Sequence, residues 1–107
     1  MTLSVCMITK DGALKLPKSL SSIKALADEI IVVDTGSKDE SKIIAASFGA
    51  KVYDFEWIDD FSAAKNFAYS KATCNWILDL DDDEVISKSD HHLIRELTRR
   101  LDNKGFY

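Results

Sequence analysis

Apolar positions along the chain follow two alternating rhythms. LSVCMI (residues 3–8) is a short, continuous apolar run containing β-branched residues, the pattern of a strand buried on both faces. Asp11-Gly12 reads as a turn. LPKSLSSIKAL then changes to helical spacing: Pro17 is tolerated in a first turn, and Leu16, Leu20, Ile23 and Leu26 or Ala27 share one face. EIIVVD (residues 29–34) is the clearest strand. It runs into the small residues Thr35-Gly36-Ser37, followed by a helix predicted over residues 39–48 with Gly49 as its C-terminal glycine. KVYDFEW (residues 51–57) alternates and predicts a third strand. FSAAKNFAYSKA (residues 61–72) predicts a helix with Phe61, Ala64, Ala68 and Tyr69 near one face. NWILDL (residues 75–80) predicts a fourth strand, and Ser87 or Ser89 can cap a last helix carrying Leu93, Ile94, Leu97 and Leu101. Gly105-Phe106-Tyr107 resembles the start of another strand.

The order β-α-β-α-β-α-β-α calls for an α/β domain, a mostly parallel sheet with helices on both faces. Ligands of such sheets sit beyond the carboxyl ends of the strands. Thr9, Asp34, Asp81 and Asp83 occupy those ends.

Composition narrows the classes. The 107 residues suit one small domain or part of a larger protein. A formal net charge of −4 argues against a nucleic-acid surface. No apolar run approaches the ~20 residues of a membrane span, so an integral membrane protein is not expected. The N-terminal residues read as a strand and lack a signal-peptide pattern. Cys6 and Cys74, without a C-x-x-C, suit a reduced, cytoplasmic setting with both thiols buried. Trp57 and Trp76 are expected in the core, His91 and His92 on the surface.

The densest chemistry is WILDLDDDEV (residues 76–85), where Asp79, Asp81, Asp82, Asp83 and Glu84 crowd together. Neighbouring carboxylates disfavour one another's ionisation. Strand alternation would carry Asp81 and Asp83 into one cleft, where hard oxygen ligands suit Mg²⁺ or Mn²⁺ bound together with a diphosphate. A solvated acidic turn ahead of a helix accounts for the same pattern. So, in part, does a calcium loop. DLDDDEVISKSD (residues 79–90) places Asp79, Asp81 and Asp83 at positions 1, 3 and 5 of an EF-hand, but has Glu84 in place of its glycine and Asp90 in place of its last glutamate. Asp34 could accept hydrogen bonds from a base or ribose, or simply cap the next turn. Lys65, beside Asn66, could meet phosphate from its helix. No G-x-G-x-x-G or P-loop is present.

In combination, LSVCMITK, DEIIVVDTGSKDES, FGAKVYDFEWIDDFSAAKNFA and NWILDLDDDE resemble the N-terminal half of family 2 glycosyltransferases of the GT-A fold, over nearly the whole chain. The bacterial members with an E-W-x-D-D-F-S-x-A-[RK]-N segment are the most similar. The resemblance implies that residues 1–107 form a single Rossmann-like nucleotide-sugar-binding domain, a fragment of a longer glycosyltransferase. Its donor would be a nucleotide-diphosphate sugar, with UDP-sugar expected, and its reaction inverting transfer to an acceptor: saccharide, lipid or protein. Carried over by position, Thr9 and Asp34 contact the base, Lys65 lies near base or diphosphate, Asp81 reaches ribose or metal, and Asp83 ligates Mg²⁺ or Mn²⁺. Asp82 falls at the variable middle position, and Asp79 has no family role. Lys10-Asp11-Gly12 departs from the family's K-N-E. The catalytic base belongs to the other half, so the fragment alone is expected to be inactive. An open sheet edge makes a homodimer an expected partner. From other classes, a calcium-binding helix-loop-helix and a non-catalytic α/β interaction domain remain as alternatives.

Overall fold

In the computed structural model, which describes residues 2–104, strands and helices alternate throughout the described residues. β1 (Leu3–Thr9), β2 (Glu29–Asp34), β3 (Lys51–Asp54) and β4 (Trp76–Asp79) form one sheet in the order β3-β2-β1-β4. Each adjacent pair is parallel: Thr9 lies opposite Asp34, Cys6 opposite Asp79, and Asp34 opposite Asp54. α1 (Leu16–Ile23), α2 (Ser41–Ser47), α3 (Phe61–Lys71) and α4 (Lys88–Lys104) are the connections and the final element.

Side-chain alternation divides the sheet into two apolar faces. Leu3, Val5 and Met7 of β1 and Ile30 and Val32 of β2 pack with Leu16, Leu20 and Ile23 of α1 and Ala45 of α2. Cys6, Ile31 and Val33 point the other way, with Ala68 of α3 packed in their cluster. Successive crossovers move outward from β1 to β3, then α3 carries the chain back to β4 across the opposite face. This is the arrangement that right-handed parallel crossovers require. β1 and β2 are the central strands, and every residue of β2 is buried.

Some boundaries differ from the pattern-based expectation. α2 is shorter than residues 39–48, because Asp39 uses its side chain on the loop after β1, accepting from Ala13 N as well as from Ser41. β3 ends at Asp54, after which Phe55 N still donates to Asp34 O at 2.9 Å. Trp57 is 41% exposed and Phe61 51% exposed, so neither belongs to the core. They meet each other edge to face at 6.5 Å, ahead of and within the first turn of α3. Trp76 is partly buried against the α1 face. Cys6 is buried as expected, but Cys74 only partly. Ser87 is the cap of α4, its hydroxyl accepting from Asp90 N at 3.1 Å. Ile94 packs against the core, whereas Leu93 and Leu97 are exposed. The side chain of Leu101 and the strand expected over residues 105–107 lie outside the described residues.

Candidate functional site

Strand order reverses at β1, so the crevice between the carboxyl ends of β1 and β4 is the topological switch point. The loops after β1 and β2 are knitted into one frame beside it. Asp11 adopts φ of 51°, and its side chain accepts from Lys38 N at 2.7 Å. Asp11 N donates to Ser37 Oγ at 2.8 Å, and Gly12 N to Ser41 Oγ at 2.9 Å. The Lys10-Asp11-Gly12 departure therefore has a structural role: a left-handed turn that short polar side chains tolerate, clipped to the TGSKDES loop.

Asp34 ends β2 at 2% exposure. One carboxylate oxygen, Oδ1, accepts from Gly36 N at 2.9 Å and Ser37 N at 2.7 Å. The other, Oδ2, is buried with no hydrogen-bond partner among the described residues. A buried acceptor left in that state costs about 1–3 kcal/mol. The capping role and a spare acceptor thus coexist in one side chain. Next to it, Ile8, Thr9, Lys10, Thr35, Trp57 and Phe61 line a cavity of about 240 Å³.

The acidic knot is a turn, not a strand extension. β4 ends at Asp79, Leu80 is buried, and Glu84 N donates to Asp81 O at 3.1 Å. Glu84 Oε1 in return accepts from Asp81 N at 2.8 Å, closing the turn from both sides. Asp81 and Asp83 are exposed on it. Asp82 points inward: its Oδ2 accepts from Thr9 Oγ1 at 2.8 Å, and its Oδ1 lies 3.9 Å from Lys15 Nζ. Gly12 lines this contact closely. A Cβ there would stand 2.4 Å from Thr9 Oγ1 and 2.8 Å from Asp82 Oδ2.

Lys65 projects from α3 on the opposite sheet face. It forms an ion pair with Asp79 and sits 5.0 Å from the centre of the Phe61 ring. The Asp79 hydrogen bond pushes the Lys65 ammonium above its ordinary range against the opposing effect of burial, and Asp81 adds a smaller push. Burial first, then the Asp79 charge, raises the Tyr69 hydroxyl. The α3 N-terminus that positions Lys65 is capped by Asp60, whose side chain accepts from Ala63 N at 3.1 Å.

The structure therefore brings Thr9, Asp34 and the acidic turn to one end of the sheet, and sets Lys65 beside them through Asp79 and Phe61. Asp82, Gly12 and Asp11 were not singled out for the site by sequence pattern. A glycine three residues past a buried strand was the available sign of close approach. The calcium-loop alternative fails on the fold: an EF-hand needs a helix entering at Asp79, and that segment is strand β4, hydrogen-bonded into a sheet. Asp79 is also committed to Lys65. Among the described residues no three His, Cys, Asp or Glu side chains converge as a metal cage.

Comparison with known proteins assigns the family. The glycosyl transferase family 2 sequence model matches residues 4–105. A TPR repeat-containing protein of Synechococcus elongatus is 52% identical over 83 residues, which is 78% of this chain and 21% of that protein. An uncharacterized glycosyltransferase of Rickettsia bellii is 42% identical over 86 residues, covering 80% of this chain and 29% of the relative. The chain thus spans between a fifth and a third of the length of these relatives. Among solved structures, TarS residues 1–349 of S. aureus superpose with a TM-score of 0.79 at 23% identity, over 96% of this chain and 33% of that one. Glucosyl-3-phosphoglycerate synthase of Mycobacterium tuberculosis, crystallised with Mn²⁺, UDP and glucosyl-3-phosphoglycerate, superposes with a TM-score of 0.67 at 23% identity, over 76% of this chain and 33% of that one. The four-stranded parallel sheet has the fold of these GT-A enzymes, and the sequence match covers nearly all of it: the chain belongs to glycosyl transferase family 2.

Proposed function

We propose that this chain is the donor-binding part of a glycosyltransferase, taking a nucleotide-diphosphate sugar, with UDP as the nucleotide, together with Mg²⁺ or Mn²⁺. The observation that carries the reading is the buried, unpartnered Oδ2 of Asp34 at the carboxyl end of β2, beside the cavity lined by Thr9, Thr35, Trp57 and Phe61. An imide N–H or ribose hydroxyl is the kind of donor that acceptor lacks, and a small shift of the loop would admit it. Thr9 and Asp34 serve the base, Lys65 the base or diphosphate, and Asp81 the ribose or metal. The complexes of relatives agree in kind: TarS of S. aureus has been crystallised with UDP, and the mycobacterial synthase with UDP and Mn²⁺.

The donor set fits a hard divalent cation. Asp81 and Asp83 are exposed carboxylates on one tight turn, and two such ligands leave most of an octahedral shell for water and phosphate oxygens. Held by Asp81 and Asp83, such an ion would supply Lewis-acid stabilisation to a diphosphate leaving group. Asp83 is its direct ligand in this reading, and inverting transfer is the corresponding stereochemical outcome. The acceptor, whether saccharide, lipid or protein, and the base that activates it lie with the remaining two-thirds or more of the relatives' length. These 107 residues alone should release no UDP in an acceptor-dependent way. Two free cysteines among the described residues favour a reducing, cytoplasmic setting. No helix among the described residues is long and apolar enough to cross a membrane.

Thermal unfolding tests the reading. Ligand present at 100 times its Kd stabilises the native state by about 2.7 kcal/mol. UDP with Mn²⁺ should raise Tm by several degrees, UDP with a chelator by less, and ADP with Mn²⁺ by less than UDP. Equal, null shifts in all three conditions contradict it.

A further inference from the structure

Of the five acids in WILDLDDDEV, Asp82 is the one that turns away from solvent. Its side chain is 16% exposed, against 53% for the Lys15 chain that it faces. It accepts from Thr9 Oγ1 at 2.8 Å, and Gly12 leaves just enough room for that contact. The hydrogen bond joins residues 73 positions apart, so it ties the turn after β4 to the end of β1 across the switch point. Without a tie, a turn bearing four consecutive carboxylates, Asp81 to Glu84, has every electrostatic reason to open, because like charges separate.

We propose that Asp82 is a positioning residue: by accepting the Thr9 hydroxyl and facing Lys15, it pins the acidic turn to β1 and so presents Asp81 and Asp83 outward to a metal–diphosphate ligand. The proposal rests on the donor-binding reading above. It assigns Asp82 no contact with ligand. Tightening the turn before binding lowers the ordering cost that the ligand would otherwise meet. A second consequence concerns Thr9. Its hydroxyl proton is committed to Asp82, so its hydroxyl oxygen, as an acceptor, is what remains for the base contact proposed above.

The test is a titration of the chain with UDP in excess Mn²⁺, with thermal unfolding of each variant as the fold control. Asp82→Ala should weaken UDP about tenfold, the scale of one lost charge-assisted hydrogen bond. Asp82→Asn keeps an oxygen that can accept from Thr9, so it should stay within about threefold of wild type. A metal ligand behaves differently: if Asp82→Asn loses Mn²⁺-dependent binding as fully as Asp83→Asn, Asp82 is a ligand and the proposal is overturned. Thr9→Val removes the donor from the other end with little change of volume, and covers the case in which Asp82→Ala does not fold. It should weaken UDP by about as much, and unchanged affinity overturns the proposal. In the double variant the two losses should add only in part, because both remove the same Thr9–Asp82 bond; full additivity also overturns the proposal, because that bond then contributes nothing. A wild-type chain that takes no UDP defeats the donor-binding reading, whereas a binding wild type with indifferent variants defeats this proposal alone.

Discussion

Asp34 and Glu29 stand at opposite ends of the same strand and show how a carboxylate's role is set by its environment. Asp34 uses one oxygen to hold the loop and keeps the other without a partner. Asp34→Asn retains an acceptor for Gly36 N and Ser37 N but replaces the spare oxygen with a donor. It should leave the melting temperature nearly unchanged while weakening UDP at least about tenfold, as read by equilibrium titration. Glu29 is buried at the amino end of the sheet and is fully used. It accepts from Ser4 Oγ, Thr73 N, Thr73 Oγ1 and Lys51 Nζ. Burial opposes its ionisation, but these bonds prevail, that from Lys51 foremost, and lower its pKa from 4.5 to about 2. A group with a depressed folded pKa stabilises the fold above its unfolded pKa, and loses that contribution as pH falls toward the folded value. Glu29→Gln should cost roughly 1–3 kcal/mol at pH 7. In urea unfolding, that gap should narrow progressively from pH 4.5 toward pH 2. A gap independent of pH contradicts the assignment. Asp82 marks the limit of sequence reading at this scale. Alternation extrapolated past β4 sends Asp81 and Asp83 into the cleft together. The chain instead turns at Asp81, a change in direction set by Glu84 and Thr9, which no local periodicity encodes.

At the scale of elements, the strands and helices were legible because each carries the period of its own burial. Leu16, Leu20 and Ile23 repeat at helical spacing, and β2 is apolar from Ile30 to Val33 because helices cover both of its faces. The errors fall where a polar side chain or an aromatic serves a loop. Asp39 delays α2, and Trp57, expected in the core, instead lines a cavity together with Phe61. Cap residues were half-legible: Ser87 and Ser89 are equivalent on pattern, and only the bond to Asp90 N selects Ser87. Asp60 at the start of α3 is the cap closest to the site. Asp60→Ala should destabilise the chain by about 1 kcal/mol and lower UDP affinity further by fraying the turn that carries Phe61. Chemical denaturation with and without UDP separates the two effects. A stability loss with no change in affinity would detach α3's first turn from the site.

Across the whole molecule, the α/β class and parallel sheet followed from element order, whereas the strand order β3-β2-β1-β4 did not. The sequence names neighbours along the chain, and it is the return of α3 across the second face that puts β4 beside β1. That return creates the switch point and so the site. It also leaves β4 at an edge of the described sheet, with Ile77, Val85, Leu93 and Leu97 exposed. Unpaired strand edges and apolar surface favour association. Sedimentation velocity should show a concentration-dependent shift from monomer toward dimer for the 107-residue chain, reduced by Ile77→Lys on the edge strand. A monomer at all concentrations contradicts this.

In the proposed reading, the turn after β4 holds a divalent cation for a nucleoside diphosphate at the end of the sheet. Calorimetric titration of UDP into the chain with saturating Mn²⁺, wild type against Asp83→Asn, tests it most directly. Wild type should give measurable UDP heat that is lost on adding a chelator and abolished by Asp83→Asn with the fold intact, while Asp90→Asn should bind as wild type does. UDP binding that survives both the chelator and Asp83→Asn would contradict it.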